Sequence, residues 1–573
     1  MPKSESRFTS ASLAGPLILM ISVDFSLTAL VGASSAPLGL YEPDIYTSIP
    51  LWAWSSVFLA FAIPLVTYFL LMIRTRFPMP IAKWLVAAYV SANFALLLMP
   101  WARYPAGYDR WDSWYHLAEA TYVARTGHTT ATNIYPATHL LLVTFAGATG
   151  ASLKNVFSIF PTLISSLLLL SAYAAAAWAR IDPRQRFLVV LAISALQIAP
   201  AVFPIAFSFV YLVWIVGFFL SFAPGVGRHI LLLMLFAALV ITHLLTAVSV
   251  VIGLVAVAVL FGQKSRSRNR FSLVATVLMF SWVFWFTQAY VSPTLLVADI
   301  VATGTFRARN YTQILAGVGL TGIDALLVVT KITLARVAAL LLSIPGAMLG
   351  TRRLLRRAVS PESLLVSWSA ANLIVFIVLG SLFGAGTIGD IIDRFVSYGL
   401  FPLGFLAAFG FLRKAADQET STFKRSGFLA LLLGLVLVVG QVGFFYPAPG
   451  TARYNWEAGT TDLYGLTWVG GNLPPSKVVG ASNDNSAMLA ALIGRDRATG
   501  LGFSFDLMLP NHLGCGQSPG GTPDFLIVTS FDIFVFGRRG EIRPNDLECL
   551  DNSSQLNPVY DNGAFRIFAR GDT

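Results

Sequence analysis

Charge is scarce in this chain. Only 12% of its 573 residues are Asp, Glu, Lys or Arg, about half the ~25% usual for a soluble globular domain. With 56% hydrophobic residues and a mean hydropathy of +0.70, that scarcity excludes an ordinary soluble protein. The long apolar runs lack the period-two alternation of barrel strands, so they are read as helices, the other structure that satisfies its own backbone in lipid. No small-residue cleavage site follows the first apolar run, which is therefore expected to be a retained span. Internal repeats are absent, as are charge runs and low-complexity linkers. The first absence speaks against a repeat-built transporter, the second against a further domain. Cysteine is almost absent. Cys515 and Cys549 both lie in the polar tail, where a disulfide and two free thiols are both open readings.

What is present is a series of apolar stretches near the ~20 residues that a spanning helix needs. They lie near 12–35, 51–73, 82–100, 155–178, 187–200, 205–222, 229–243, 246–262, 271–292, 330–350, 362–383, 394–412 and 427–446. About thirteen spans with a cytoplasmic N-terminus put nearly every basic cluster on the inside: 74–83, 180–186, Arg228, 264–270, 352–357 and 413–425. The net charge of +11 is thus a topology signal, and a nucleic-acid partner is not required. The count holds only if 137–150, too short to cross, lies along the outer interface.

On this topology, loop 101–154, loop 293–329 and the tail from about 447 face outward. The tail changes character. "SKVVGASNDNSAMLAALIG" reads as a strand and a helix, and "DFLIVTSFDIFVFG" and "GAFRIFAR" as strands. The expected architecture is a polytopic α-helical membrane protein, residues 1–446, with a small extracytoplasmic α/β domain, 447–573. Asn310 and Asn552 begin outward-facing glycosylation triplets.

The chemistry concentrates in "YDRWDSWYHLAEATYVARTGHTTATNIYP", from Tyr108 to Pro136. If 109–126 is a helix, Asp109, Asp112 and His116 share one face. Asp112 and His116 stand one turn apart, a spacing that suits a divalent metal or a base with its orienting partner. Trp111, Trp114 and Tyr115 flank them, as membrane-interface anchors or as surfaces for sugar rings. Solvated loop residues with no further role are the bland reading of the same pattern.

The segment "WDSWYHLAEATYVARTG…YP" resembles the first external loop of the GT-C superfamily of membrane glycosyltransferases. It is most similar to archaeal and eukaryotic oligosaccharyltransferase catalytic subunits. The resemblance implies a sugar donor linked to polyprenyl phosphate. It also implies that Asp112 is a catalytic carboxylate or a metal ligand (Mg2+ or Mn2+), with Asp109 and His116 in support. "GDIIDRFVSYGLFPLGFLAA" resembles the family's "RF" element, making Arg394 a contact for the lipid-linked phosphate, oriented by Asp390 or Asp393. The alternative is an arginine snorkelling at a span end.

The pattern also breaks. The next external loop, "QIAPAVFPIAFSF", has no Asp, Glu or His, so a second acidic motif is missing. The tail lacks the Trp-Trp-Asp acceptor motif, so transfer of an oligosaccharide to a glycosylation triplet is not supported. Transfer of a monosaccharide is the expectation. Further candidates lie elsewhere. Glu42 and Asp44, in the first external loop, are a further ligand or base, or a wet turn before Pro50. Lys331 and Arg336 could hold donor phosphate or snorkel. Asp24 sits in the first span, where an acid is expensive. His243, near a span end, reads as structural. Loop 293–329, with Arg307, Arg309 and Tyr311, could close over a site.

The reading is a glycosyltransferase of a cell-envelope or plasma membrane. It would pass sugar from a polyprenyl-phosphate donor to an extracytoplasmic protein, glycan or lipid acceptor. The rivals are a non-catalytic membrane scaffold and a lipid or sugar transporter.

Overall fold

A computed structural model describes residues 10–35, 45–73, 81–104, 112–130, 133, 135–196, 204–221, 226–261, 273–282, 322–383, 397–410, 421–445, 460–493, 498–500, 523–533, 548, 550–552 and 556–571. The protein is a multi-pass helical membrane protein. Six described helices have the length and hydropathy to cross a bilayer: Leu13–Ser35, Leu51–Met72, Ile81–Arg103, Leu153–Trp178, Leu244–Phe261 and Thr333–Leu355. The other expected spans also fall on helices, several of them shorter, among them Pro204–Leu220, Gly227–Thr242 and Gly427–Val442. Thirteen crossings therefore remain an expectation of the sequence.

Helices that share an apolar solvent gain little from hydrophobicity toward one another, so packing and interhelical hydrogen bonds hold them. Tyr89 shares a 2.8 Å bond with Ser194 and donates to Gln441 Oε1 at 3.1 Å, tying three helices. Asn93 donates to Ser165 at 2.9 Å. Ser249 donates to Asn372 Oδ1 at 2.7 Å, and the Asn372 amide returns a bond to the Ser249 carbonyl. Asp24 is exposed on the first helix, without an observed hydrogen bond or ion pair among the described residues.

The stretch expected to lie along the interface is the helix Pro136–Thr149. Its 14 residues span only ~21 Å at 1.5 Å per residue, short of a ~30 Å hydrocarbon core. Pro136 opens it, where a missing N–H costs nothing. Gly150 ends it at φ 67°, a left-handed conformation that glycine adopts freely.

The tail forms a five-stranded sheet. The strands are β1 (Val479–Ala481), β2 (Ala498–Gly500), β3 (Phe525–Thr529), β4 (Leu556–Asp561) and β5 (Phe565–Arg570), in the order β2-β1-β3-β5-β4. The first three are parallel and the last two antiparallel to their neighbours. β1 and β3 are buried along their whole length, as continuous apolar strands inside a parallel sheet should be. β4 lies at the edge and carries Pro558, which a central strand would not tolerate. Helix Asn483–Ile493 follows β1 and packs against helix Asp112–Thr126. The tail domain thus rests on the segment that carries the sequence motif. The division at 446/447 falls outside the described residues.

Candidate active site

The motif helix begins at Asp112 and runs to Thr126. Asp112 is its first residue, where the helix macrodipole favours an anion, and His116 follows one turn later. Leu, Ala and Glu favour the helical interior. Gly127, at φ 77°, stops the helix, its N–H bonded to the Val123 carbonyl at 2.9 Å. Trp114 is fully buried against Phe157, with ring centroids 5.8 Å apart. It is therefore a packing anchor for the helix rather than an open surface for a sugar. Tyr115 points outward instead, 43% exposed.

His116 is buried, and its Nδ1 lies 2.8 Å from Nε2 of His139 on the short helix. Nδ1 of His139 lies 2.8 Å from the Asn133 amide nitrogen. The Asn133 carbonyl oxygen accepts the Tyr135 backbone N–H at 3.0 Å, a local turn that asparagine favours before the proline. Glu119, also fully buried, accepts a 2.8 Å bond from Thr130.

The chain then passes to a second cluster. The Tyr135 ring stacks on His243 at 5.4 Å and 25°. His243 occupies the one-residue break between Val226–Thr242 and Leu244–Phe261. Its Nδ1 is 2.8 Å from the Thr246 hydroxyl and 3.3 Å from the Tyr398 hydroxyl. Thr246 in turn meets Ser208 at 2.9 Å. Tyr398 belongs to "DRFVSYG". His243 therefore joins the two stretches singled out in the sequence, "NIYP" and "DRFVSY".

No family model matches the chain, and no curated protein matches it. Among solved structures, it is similar to ArnT from Cupriavidus metallidurans in the apo state, at 12% identity and a TM-score of 0.48, covering 85% of this chain and 98% of that one. It is similar also to ArnT bound to undecaprenyl phosphate, at 13% identity and a TM-score of 0.47, covering 84% and 98%.

Of the expected site residues, His116 lies inside this polar chain. Asp112 opens the same helix, but its side chain lies outside the described residues, as does that of Lys331 in helix Gly322–Leu355. Arg336 is half-buried on that helix, which packs against helix Leu403–Gly410 just beyond Tyr398. Asp109, Glu42, Asp44, Asp390, Asp393, Arg394, Arg307, Arg309, Tyr311, Asn310, Cys515 and Cys549 lie outside the described residues. The helical face that Asp109 was expected to share with Asp112 and His116 therefore lies outside the described residues too. Among the described residues no group of three His, Cys, Asp or Glu is placed to hold a metal ion.

Asn133, His139 and Glu119 escaped the sequence reading, and His243 was read as merely structural. One signal was available: "NIYPATH" places Asn133 and His139 on either side of the Tyr-Pro that closes the loop.

Proposed function

We propose that the protein is a membrane glycosyltransferase that moves a sugar from a polyprenyl-phosphate donor to an extracytoplasmic protein, glycan or lipid acceptor. The observation that carries the reading is the His243 junction, where Tyr135 of the first motif and Tyr398 of the second meet. Arg394 is four residues before Tyr398, and the Asp112 helix is tied to Asn133, two residues before Tyr135, through His116 and His139. Asp112, proposed as the carboxylate, and Arg394, proposed as the phosphate contact, are thus each a few residues or bonds along the chain from groups that meet at this junction.

In this mechanism an acceptor hydroxyl gives its proton to Asp112 as its oxygen attacks the anomeric carbon. The bond from that carbon to phosphate oxygen breaks, and polyprenyl phosphate leaves with the electron pair. Arg394, with Arg336 and Lys331, meets the charge growing on phosphate, for which guanidinium geometry is suited. The protein sits in the plasma membrane with its N-terminus in the cytoplasm and its tail domain outside.

The test uses purified protein in lipid nanodiscs with labelled polyprenyl-phosphate sugars. Wild type should consume one of them. Asp112→Asn should lose about 100-fold or more of that rate, the scale of a general base. Equal rates in the two proteins would remove Asp112 from the mechanism. A folded wild type that consumes none of them would favour the scaffold or transporter reading.

A further inference from the structure

The hydrogen bonds around His139 have a fixed direction, and it starts at a group that has no choice. The Tyr135 backbone N–H can only donate, so the Asn133 atom that receives it at 3.0 Å is the carbonyl oxygen. The other end of that amide, the NH2, therefore faces His139 Nδ1 at 2.8 Å. Nδ1 must accept. A protonated Nδ1 would set N–H against N–H, so His139 is neutral and carries its hydrogen on Nε2. That hydrogen points along the 2.8 Å contact to His116 Nδ1. Nδ1 of His116 must accept in turn, so His116 is also neutral, with its own hydrogen on Nε2.

We infer that Asn133 and His139 lock His116 as a fixed N–H donor, which makes it neither a metal ligand nor a base. A metal needs a ring-nitrogen lone pair. One nitrogen of His116 has spent its lone pair on His139 and the other carries a proton. The same accounting removes a proton relay, because the chain ends on an amide that neither gives up nor takes a proton. The second ring nitrogen of His116, one turn along the helix from Asp112, is then an N–H donor and not an acceptor. If Mg2+ or Mn2+ binds at Asp112, it does so without His116. Asn133 and His139 are positioning residues, acting through His116. The assignment of a catalytic setting rests on the transferase reading, but the hydrogen-bond direction does not.

One substitution reverses the chain. In Asn133→Asp the Tyr135 N–H keeps an acceptor, but the atom facing His139 becomes an oxygen that accepts. His139 must then protonate Nδ1. Its Nε2 is freed to accept, and His116 turns its hydrogen toward it, releasing its own Nε2 lone pair.

The experiment is solid-state 15N spectroscopy of full-length, histidine-labelled protein in nanodiscs, with His116→Gln and His139→Gln assigning two of the six histidines. A Mn2+ titration followed by electron paramagnetic resonance accompanies it. Wild type should show His116 with an unprotonated Nδ1 and a protonated Nε2, and His116→Ala should leave Mn2+ binding unchanged, whether weak or strong. Asn133→Asp should invert the pattern and tighten Mn2+ by about tenfold or more, the scale of tuning around a metal ligand. That gain should vanish in Asn133→Asp/His116→Ala. A wild-type His116 protonated on Nδ1, or an approximately tenfold loss of Mn2+ affinity in His116→Ala, would overturn the inference. The wild-type spectrum decides even if Asn133→Asp does not fold. A protein that shows the expected tautomer yet consumes no donor would fail the transferase reading alone.

Discussion

Two buried polar clusters in this molecule are built on opposite logic. In the tail domain, Asp532 is fully buried and collects donors. One carboxylate oxygen accepts from Ser482 at 2.6 Å. The other accepts from the Asn485 amide at 2.8 Å and from the Thr529 N–H and hydroxyl at 2.9 Å. These four bonds converge on a group that only accepts, which fixes their direction. The cluster staples the end of β3 to the start of helix Asn483–Ile493. In the motif region, Asn133, His139 and His116 form a line of groups that can each donate or accept. There the direction is inherited from a single backbone N–H. A convergent cluster stores stability, whereas a line stores polarity, and polarity can be reversed by changing one atom.

Breaking the convergent cluster should have the largest effect on folding. Asp532→Ala strands the donors of Ser482, Asn485 and Thr529, at a cost on the order of 3–5 kcal/mol. The tail should then unfold well below wild type in a thermal scan of the nanodisc-held protein. Asp532→Asn should cost far less, about 1 kcal/mol, because the Ser482 hydroxyl can turn to accept from the new amide. If the two substitutions cost the same, the carboxylate is not the organiser of that cluster.

The junction offers an intermediate case. Tyr398→Phe removes one hydroxyl from His243 Nδ1, which also has Thr246. The expected loss is about 1 kcal/mol, seen as a small drop in the bundle's melting temperature with the tail's unchanged. The smallest effect belongs to the turn that leads toward Asn133. Gly127→Ala forces a side chain into a φ of 77°, costing about 1 kcal/mol or less. Among the described residues nothing else crowds that position, since a methyl group there would meet open space. A clearly larger loss would mean that the loop's packing depends on the glycine for more than its backbone.

Periodicity and composition carry far in this chain. The apolar stretches became helices, the short stretch after "IYP" became a helix too short to cross, and the tail's strand-helix start and its final strand fell where expected. These features are local, and each is written in a window of consecutive residues. β2 and β4 were not anticipated, because a three-residue strand and an exposed edge strand with a proline leave little pattern. The candidate site was legible only as two separate motifs. Their meeting at His243 depends on how four distant segments pack, and no local signal encodes that. Trp114 shows the same limit from the other side. A tryptophan beside a membrane reads as an interface residue, but its helix turns it into the core against Phe157.

The packing of helix Asn483–Ile493 against helix Asp112–Thr126 also sets an order of events during synthesis. Ribosomes add residues at ~5–20 per second, so the motif helix emerges on the order of tens of seconds before the helix that will cover it. Through that interval the segment carrying Asp112 lacks the helix of the tail domain that packs against it. A helix made late therefore covers one made early, and a nascent chain that stops short of Asn483 holds the earlier helix uncovered.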